Sequence, residues 1–487
     1  MADIVAIPEE TGIETHGIER VSPETRTHTR ILDNFTLWLS ANLVISTIAL
    51  GTLAIPFFGL GFWDSLGIII LFNALGCLAP GILSILGPRL GLRQMTIARF
   101  SFGWVGGIIM AIFNVAACVA WSAVNVIVGG QLVVSLSHGA VPLWVGVLII
   151  AILTTLVSIY GYRYVHRYER YAWIPMAIMF FIMFILGVPH FALVAPTATG
   201  VAEIAGLVTF GGAVYGFATG WTSYAADYNV NQPENTPSSE VFWWTFLGIF
   251  IPCVLLETLG MAFTTALASN KVWNAAFTSN SVGGLLSAVV SPLQGFGTFL
   301  LVLLALSIIA NNIPNDYSLG LSMQVLGKWF QGVRRYIWTL IGAVIYVCIA
   351  IIGSANFAGT LNNFLLLVAY WLGPFAIILI TEHFVFRRGH YNVDDWNTPS
   401  RLPLGWAAIA ALIMGIVGVV LGADQTYFQG FVARLVNPPY GIDIGFELGV
   451  IFAFITYLIL RPIELKQRPI PTDGEQAVGV VEDKVEG

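Results

Sequence analysis

Charged residues are scarce in this chain. Asp, Glu, Lys and Arg together make up 10% of its 487 residues, whereas soluble domains contain about 25%. Apolar residues make up 57% of the chain, and the mean hydropathy is +0.81. Among the common protein classes, only a membrane protein with many spans has this composition. The net charge of −6 does not predict orientation, which depends on where Lys and Arg lie.

Cysteine is rare too, and common catalytic motifs are missing. The four cysteines, Cys77, Cys118, Cys253 and Cys348, lie inside apolar runs without a CxxC pair. They are typical of small buried apolar residues, and we expect no disulfide, metal site or cofactor. The sequence contains no GxxxxGKS/T, GxSxG or HExxH motif. This argues against ATP-driven transport by this chain and against the common hydrolase and zinc-protease classes.

Long apolar segments are abundant, and twelve of them can cross about 30 Å of hydrocarbon. We place them at 34–58, 63–86, 104–136, 142–160, 170–189, 204–226, 240–268, 293–324, 336–352, 362–386, 403–424 and 443–460. The predicted fold class is an all-α membrane protein with one transporter domain over residues 34–460. Residues 1–33 are polar and are predicted to be a cytosolic segment that is not a cleaved signal peptide. Residues 461–487 are predicted to be a disordered cytosolic tail.

Basic residues alternate between the loops and predict the orientation. Loops on one side hold most of the Lys and Arg residues of the chain, whereas the opposite loops hold only Lys271 and Arg434. This alternation requires twelve spans and predicts that both termini are cytosolic, in a plasma membrane or a bacterial inner membrane. Basic residues confined to loops near the bilayer give no support for nucleic-acid binding, so the predicted partners are the lipid bilayer and a small solute.

Two spans carry residues that weaken a helix. Span 1 mixes hydroxyl residues, Asn42 and Gly51 with apolar ones, and span 6 has four glycines between Gly211 and Gly220. Spans 1 and 6 are five apart, as expected for a five-plus-five inverted repeat with discontinuous helices 1 and 6 and two further C-terminal helices. For a single glycine, close helix packing is the commoner explanation. For spans 1, 6 and 8 together we favour a binding site.

Span 8 contains the most unusual stretch, Ala310-Asn311-Asn312-Ile313-Pro314-Asn315-Asp316. At bilayer depth every polar group needs a partner, and Pro314 removes a helical N–H. Asn311 and Asn315 share one helix face, while Asn312 and Asp316 share the next. Hydrogen bonds between helices, worth about 0.6 kcal/mol on average, are the alternative. Three asparagines beside a proline favour a binding element.

An aromatic residue and an amide share a face in span 3 as well. Trp121 and Asn125 are four residues apart, and Trp221 lies at the end of span 6. An indole beside an amide can stack a flat heterocycle and hydrogen-bond to its edge. Tryptophan is also common as an anchor at the membrane interface, and from spacing alone the two explanations of Trp121 are balanced.

Two acidic residues are candidates for ion coupling. Glu257 in span 7 is the deepest acid by position, and Asp316 in span 8 is the other candidate. A carboxylate at mid-bilayer is costly, by roughly 2.5–3.5 kcal/mol. Asp227 and Glu234 follow span 6, where capping or gating is the expected role.

Three runs of residues stand out along the chain: Leu37-Trp38-Leu39-Ser40-Ala41-Asn42, Gly220-Trp221-Thr222-Ser223-Tyr224-Ala225-Ala226-Asp227-Tyr228, and Asn311-Asn312-Ile313-Pro314-Asn315. Together they resemble the purine–cytosine permeases of the nucleobase–cation symporter family. The resemblance extends over all twelve spans. It implies a LeuT-type inverted-repeat fold, alternating access, and cation-driven uptake of cytosine and purines.

The resemblance also implies roles for individual residues. The heterocycle would lie between Trp121 and Trp221, beside the span-3 amide Asn125. The span-8 amides Asn311, Asn312 and Asn315 would read its edge, and Ser40 and Asn42 of span 1 would contribute. Sodium-coupled relatives carry hydroxyl side chains in span 8 just before the substrate amide. Here Ile309 and Ala310 occupy those positions, with Ser307 out of register, which favours protons over sodium.

We therefore predict a proton-coupled importer of cytosine and purine nucleobases, with sodium coupling as the less favoured form. One alternative keeps the fold but changes the solute to allantoin, a hydantoin, uracil or a vitamin precursor. An intramembrane enzyme would need a nucleophile–base pair or metal ligands, which Glu257 alone does not supply. A sensor or channel would bind the base without accumulating it.

Overall fold

Helices make up almost all of the regular structure of this chain. The structure is a computed structural model, and it describes residues 17–26, 28–158, 162–436 and 441–470. Within those ranges the only sheet is an antiparallel hairpin in which β1 (Asp424–Gln425) pairs with β2 (Phe428–Gln429). The prediction of a helical membrane protein is confirmed.

The α-helices are numbered here in chain order through the described residues. They are α1 (Leu32–Asn42), α2 (Ile45–Gly51), α3 (Phe62–Ser84), α4 (Leu86–Leu90), α5 (Gln94–Ile97), α6 (Arg99–Leu136), α7 (Leu143–Ser158), α8 (Tyr162–Gly187), α9 (Val201–Thr219), α10 (Ser238–Thr265), α11 (Lys271–Val290), α12 (Gly295–Val325), α13 (Lys328–Gln331), α14 (Arg335–Gly353), α15 (Phe357–Thr381), α16 (Trp406–Gly422), α17 (Phe431–Val436) and α18 (Gly445–Gln467).

Eight helical segments of the described chain are long and apolar enough to cross a membrane. The bent pair α1 and α2 makes a ninth if it is counted as one span. One of the eight segments, Arg335–Phe386, contains both α14 and α15, and the apolar helices α7 and α16 are shorter. The chain is therefore a membrane protein that crosses the bilayer many times.

The first span is interrupted, as its polar residues predict. α1 ends at Asn42 and α2 begins at Ile45, and the two axes differ by 61°. Val44 between them is fully extended, with φ −138° and ψ 161°. The main-chain groups around Ala41 and Asn42 are thereby freed for contacts outside the helix.

The glycines of α9 have a different role from the predicted one. Gly211 and Gly216 lie inside a regular helix that ends at Thr219, and 3₁₀ turns begin at Gly220. A Cβ on Gly216 would lie 2.1 Å from the Leu365 carbonyl oxygen of α15. Here the packing explanation holds, and the helix loses its regular form only at Gly220.

Several predicted boundaries differ from the structure. α11 occupies a region expected to be a loop, because its polar residues concealed a kinked surface helix with irregular backbone at Asn280 and Ser281. α18 runs to Gln467, past the predicted boundary at 460. Cys348 is exposed on α14 and is not a buried residue. The rest of the predicted tail, 471–487, and residues 1–16 lie outside the described ranges.

A buried charge cluster explains why α18 continues so far. The Glu382 carboxylate, just after α15, accepts hydrogen bonds from Arg387 Nε (2.9 Å), Arg461 Nη2 (2.6 Å) and Tyr457 Oη (2.9 Å). Arg461 also pairs with Glu464 at 2.9 Å. Buried charges are stable only when they are paired in this way, so the cluster joins the end of α15 to the last two turns of α18.

Packing brings the unusual segments together. α6 and α12 lie side by side, and α1 and α2 both contact α12. The break after Asn42 therefore faces the asparagine-rich part of α12.

Candidate solute-binding site

The asparagines of α12 lie deep inside the helix bundle. Asn311, Asn312 and Asn315 are each at most 2% exposed, and α12 stays helical through Pro314. The polar stretch is therefore buried inside protein and does not face lipid, where its polar groups would lack hydrogen-bond partners.

The break in the first span meets α12 directly. Asn311 Nδ2 donates to the Ala41 carbonyl oxygen at 2.7 Å. Asn42 Nδ2 donates to the Trp38 carbonyl oxygen at 2.8 Å, and Asn42 Oδ1 accepts from Trp221 Nε1 at 3.0 Å. Asn42 thus joins the first span to the turn that follows α9.

Asn125 of α6 connects these groups to the rest of the bundle. Its Nδ2 donates to Asn311 Oδ1 at 2.5 Å and to Asn312 Oδ1 at 2.8 Å. Its Oδ1 accepts from Ser46 Oγ of α2 at 2.7 Å. We call Asn42, Asn125, Asn311, Asn312, Asn315 and Trp221 the amide cluster.

Asn315 has a partner that the sequence did not suggest. Its Oδ1 accepts from Tyr224 Oη at 2.6 Å, and its Nδ2 donates to the Asn311 carbonyl oxygen at 3.2 Å. Tyr224 and Ser46 are the contacts that sequence reasoning missed. Tyr224 lay within a quoted motif, but nothing in the spacing indicated that its hydroxyl would reach α12.

Both tryptophans lie next to Gly220. Trp221 belongs to the amide cluster, and Trp121 does not. A Cβ on Gly220 would lie 2.9 Å from the Trp121 indole, and Trp221 is the next residue. Trp121 packs edge-on against Phe217 and Phe364, with ring centroids 5.3 and 4.9 Å apart. Trp221 packs against Trp38 at 5.1 Å. Both indoles are 5% exposed, so the site is closed.

Some buried polar atoms in this region lack a partner. They are Trp121 Nε1, Asn312 Nδ2, Ser40 Oγ and Ser223 Oγ. The two serine hydroxyls can donate to a solute or accept from it, whereas Asn312 Nδ2 and the indole N–H can only donate. Ser40 is buried beside the cluster but makes no hydrogen bond to it.

The two candidate coupling acids lie on different helices, Glu257 on α10 and Asp316 on α12. Glu257 Oε2 accepts from Asn73 Nδ2 of α3 at 2.7 Å, while Oε1 has no partner. One turn earlier on α10, Cys253 Sγ contacts Asn42 Oδ1 at 3.5 Å. Asp316 Oδ1 accepts from Ser122 Oγ at 3.2 Å, and Arg335 is close enough to interact with it electrostatically. Neither acid joins the amide cluster directly.

The α12 positions relevant to sodium coupling have no side chain suited to bind the ion. Ser307 Oγ donates to the Leu304 carbonyl oxygen of its own helix at 2.7 Å and has no hydrogen bond to the first span in the described part of the chain. Ile309 is apolar, and the side chain of residue 310 lies outside the described set. Among the described residues, no group of three or more His, Cys, Asp or Glu could hold a metal ion.

Asp227 acts as a cap, as expected. Its Oδ1 accepts from the Gln94 N–H at 2.7 Å, which satisfies the first turn of α5. Arg93 Nη1 donates to the Asp227 carbonyl oxygen at 2.5 Å. Asp227 therefore holds the segment after α9 against the loop that leads into α6.

Sequence comparison finds relatives along most of the chain. Residues 21–443 match the family model described as a permease for cytosine/purines, uracil, thiamine and allantoin. The chain is 43% identical to the purine-cytosine permease fcyB of Emericella nidulans, over 96% of this chain and 91% of that protein. It is 41% identical to a purine-cytosine permease of Saccharomyces cerevisiae, over 93% of this chain and 86% of that protein.

A solved structure shares the fold. It is Mhp1, a nucleobase-cation-symport-1 family transporter in a closed conformation with bromovinylhydantoin bound, and it matches with a TM-score of 0.72. The match covers 95% of this chain and 98% of that one, at 16% identity. The prediction of a transporter and not an enzyme is confirmed by the family and the fold. The chain belongs to the family of permeases for cytosine/purines, uracil, thiamine and allantoin.

Proposed function

We propose that this protein imports cytosine and related purine nucleobases by cation symport, with alternating access, in the plasma membrane. Its relatives named above are purine-cytosine permeases. The observation that carries the proposal is the amide cluster, where side chains from α1, α6 and α12 meet beside Trp121 and Trp221. Amides offer both donors and acceptors, as the edge of a nucleobase requires.

In this proposal the tryptophans stack against the ring and the amides hydrogen-bond to its edge. Trp121 and Trp221 flank the heterocycle. Asn125, Asn311 and Asn315 exchange their present mutual hydrogen bonds for bonds to the base. Asn312, with its unpartnered Nδ2, supports α12 and supplies a donor, while Ser40 and Asn42 contribute from the first span.

The proposed topology has twelve spans with both termini in the cytosol. It is supported by counting α1 and α2 as one span, separating α14 from α15, and including the shorter helices α7 and α16. The breaks after Asn42 and at Gly220 fall in the first and sixth spans of that count. This spacing agrees with a five-plus-five inverted repeat followed by two further helices.

We propose protons as the coupling ions, with no cofactor. The Ser307 hydroxyl, which bonds within its own helix, supports this over sodium. Glu257 and Asp316 are the candidate proton carriers, since both are buried acids close to the segments that form the amide cluster.

The test is uptake of radiolabelled cytosine into proteoliposomes, with pH and sodium gradients imposed separately. We expect accumulation with an inward proton gradient. Accumulation with sodium alone would keep the transporter but reject proton coupling. If unlabelled uracil, allantoin or a hydantoin competes better than cytosine or adenine, the proposed solute is wrong.

Asn315→Ala is the sharpest variant for this assay. It removes an amide that contacts Tyr224 and the Asn311 carbonyl oxygen. Cytosine uptake is therefore expected to fall by about tenfold or more, the effect of one or two lost buried hydrogen bonds. The matched control is Asn274→Ala on the exposed face of α11, which should leave uptake unchanged. Equal uptake by both variants would remove Asn315 from the site.

A further inference from the structure

A cavity lies apart from the amide cluster. It has a volume of about 780 Å³ and is lined by Phe57 after α2, Thr209 of α9, Asn362 and Asn363 of α15, and the β1–β2 hairpin. In the proposed topology this hairpin is extracellular. No residue of the amide cluster lines this space, which we call the outer cavity.

Two amide oxygens in the described walls of the outer cavity lack a hydrogen-bond partner, and the exposed Arg434 also lines this space. Gln425 and Asn362 are 5% and 6% exposed, and Gln425 Oε1 and Asn362 Oδ1 have no hydrogen-bond partner. The Asp424 carboxylate lies beside them on β1. A buried amide oxygen without a partner is costly, so a ligand with N–H groups would remove that cost.

Three side-chain amides near these oxygens already donate hydrogen bonds within the protein. Gln425 Nε2 donates to Tyr370 Oη at 3.0 Å, and Gln429 Nε2 donates to Asp424 Oδ1 at 2.9 Å. Asn363 Nδ2 donates to Thr426 Oγ1 at 2.9 Å. These bonds fix the orientation of three of the side chains that line the cavity.

Aromatic side chains complete the walls. Phe57 is 47% exposed and Tyr427 is 68% exposed, and both line the outer cavity. Flat rings that remain exposed beside unpartnered acceptors suit a planar solute, because stacking is favourable for any aromatic heterocycle.

We propose that the outer cavity is a binding site for a flat heterocycle that carries an exocyclic amine, occupied before the solute reaches the amide cluster. This inference rests on the proposed function and names a second position for the same class of solute. The amine donates to Gln425 Oε1, Asn362 Oδ1 or Asp424, and the ring lies against Tyr427.

The cavity is built on the helices that enclose the amide cluster. α9 lines it at Thr209 and leads to Trp221. α15 lines it at Asn362 and Asn363, and the next residue, Phe364, packs on Trp121. A solute bound in the outer cavity therefore contacts the helix whose movement would uncover Trp121.

The test compares Tyr427→Ala with Phe431→Ala. Phe431 is 69% exposed in the same connection but does not line the cavity, so both changes are mild for folding. We expect Tyr427→Ala to raise the KM for cytosine uptake about tenfold, the factor of one base–aromatic stack, with kcat unchanged. Phe431→Ala should leave the KM unchanged. Equal KM values in the two variants would overturn the proposal.

Equilibrium binding of radiolabelled cytosine gives a second readout. Asn315→Ala protein should retain one weak site, and that site should be lost in the double variant Asn315→Ala with Gln425→Leu. Asn315→Ala with Gln331→Leu, which changes an exposed Gln elsewhere, is the control. If the Asn315→Ala protein binds no cytosine, the outer site is rejected, but the proposed function is not. Absence of both uptake and binding in the wild-type protein would reject the proposed function.

Discussion

Glu257 and Asp316 differ in what surrounds their carboxyl groups. Asp316 lies near Arg335, a cation that is 1% exposed and stacks on the Tyr317 ring. Glu257 has Cys77 and Cys253 as its titratable neighbours and no cation among the described residues. An acid without a cation nearby is stable in the bundle only when it is neutral. Glu257 is therefore the better candidate for the proposed proton carrier.

Glu257→Gln should separate coupling from transport. The amide keeps the shape and the contact with Asn73, but it cannot take up or release a proton. We expect accumulation of cytosine driven by a pH gradient to disappear, while exchange of internal for external cytosine continues at about the wild-type rate. Asp316→Asn is the comparison and should retain some accumulation. If Asp316→Asn alone loses accumulation, the proton site is Asp316.

Individual residues of the site were predictable where their polarity contradicted their surroundings. Asn311, Asn312 and Asn315 stood out because amides are costly inside an apolar span. The contacts of Tyr224 and Ser46 were not predictable, because a hydroxyl group is ordinary in a membrane helix and its partner is decided by packing between distant helices. The same holds for Cys253, whose contact with Asn42 links two spans far apart in sequence.

A glycine of α9 permits its close approach to α15. Gly216 lies against the Leu365 backbone, and α15 also carries Phe364 onto Trp121. The separation of these two helices therefore determines how tightly the amide cluster is closed.

Gly216→Ala should lower stability and disturb this contact. Its added methyl group would lie 2.1 Å from the Leu365 carbonyl oxygen, which forces the helices apart at a cost of about 1–3 kcal/mol in the free energy of unfolding. Thermal unfolding in detergent measures the change. Gly67→Ala on α3, where a Cβ would meet nothing within 4 Å, should be neutral or stabilising. Equal losses in both variants would mean that the helix contact is not tight.

Element boundaries were predictable wherever apolar runs were long. α6, α10 and α12 were predicted because each contains a long, mostly apolar stretch, which has few alternatives to a helix in a bilayer. α11 was missed because a surface helix with polar residues has no such signature, and the β1–β2 hairpin is too short to produce one. The glycines of α9 were misinterpreted because sequence does not distinguish a glycine that bends a helix from one that lets another helix approach.

Across the whole molecule, the last helix is joined to the core by charge. Glu382, Arg387, Arg461 and Glu464 form a buried network between the end of α15 and α18. α18 also packs along α16, so the network attaches that helix pair to the rest of the bundle.

Arg461→Ala should destabilise the entire protein. It leaves the carboxylates of Glu382 and Glu464 buried with one positive charge fewer beside them. Breaking such a pair costs about 3–5 kcal/mol in the free energy of unfolding. The loss should appear as a lower Tm in detergent. Arg334→Ala, at an exposed arginine before α14, should leave the Tm unchanged. A comparable loss in Arg334→Ala would indicate a general effect of removing positive charge.

The mutual hydrogen bonds of the amide cluster have a consequence for the transport cycle. Without a solute, Asn125 donates to Asn311, Asn311 donates to the Ala41 carbonyl oxygen, and Asn42 accepts from Trp221. The unloaded protein can therefore close with most side-chain groups of the amide cluster paired. An unloaded carrier that closes can reorient and load again on the other side. The protein is thereby equipped to concentrate its solute through repeated one-way turnovers, instead of only swapping one molecule for another.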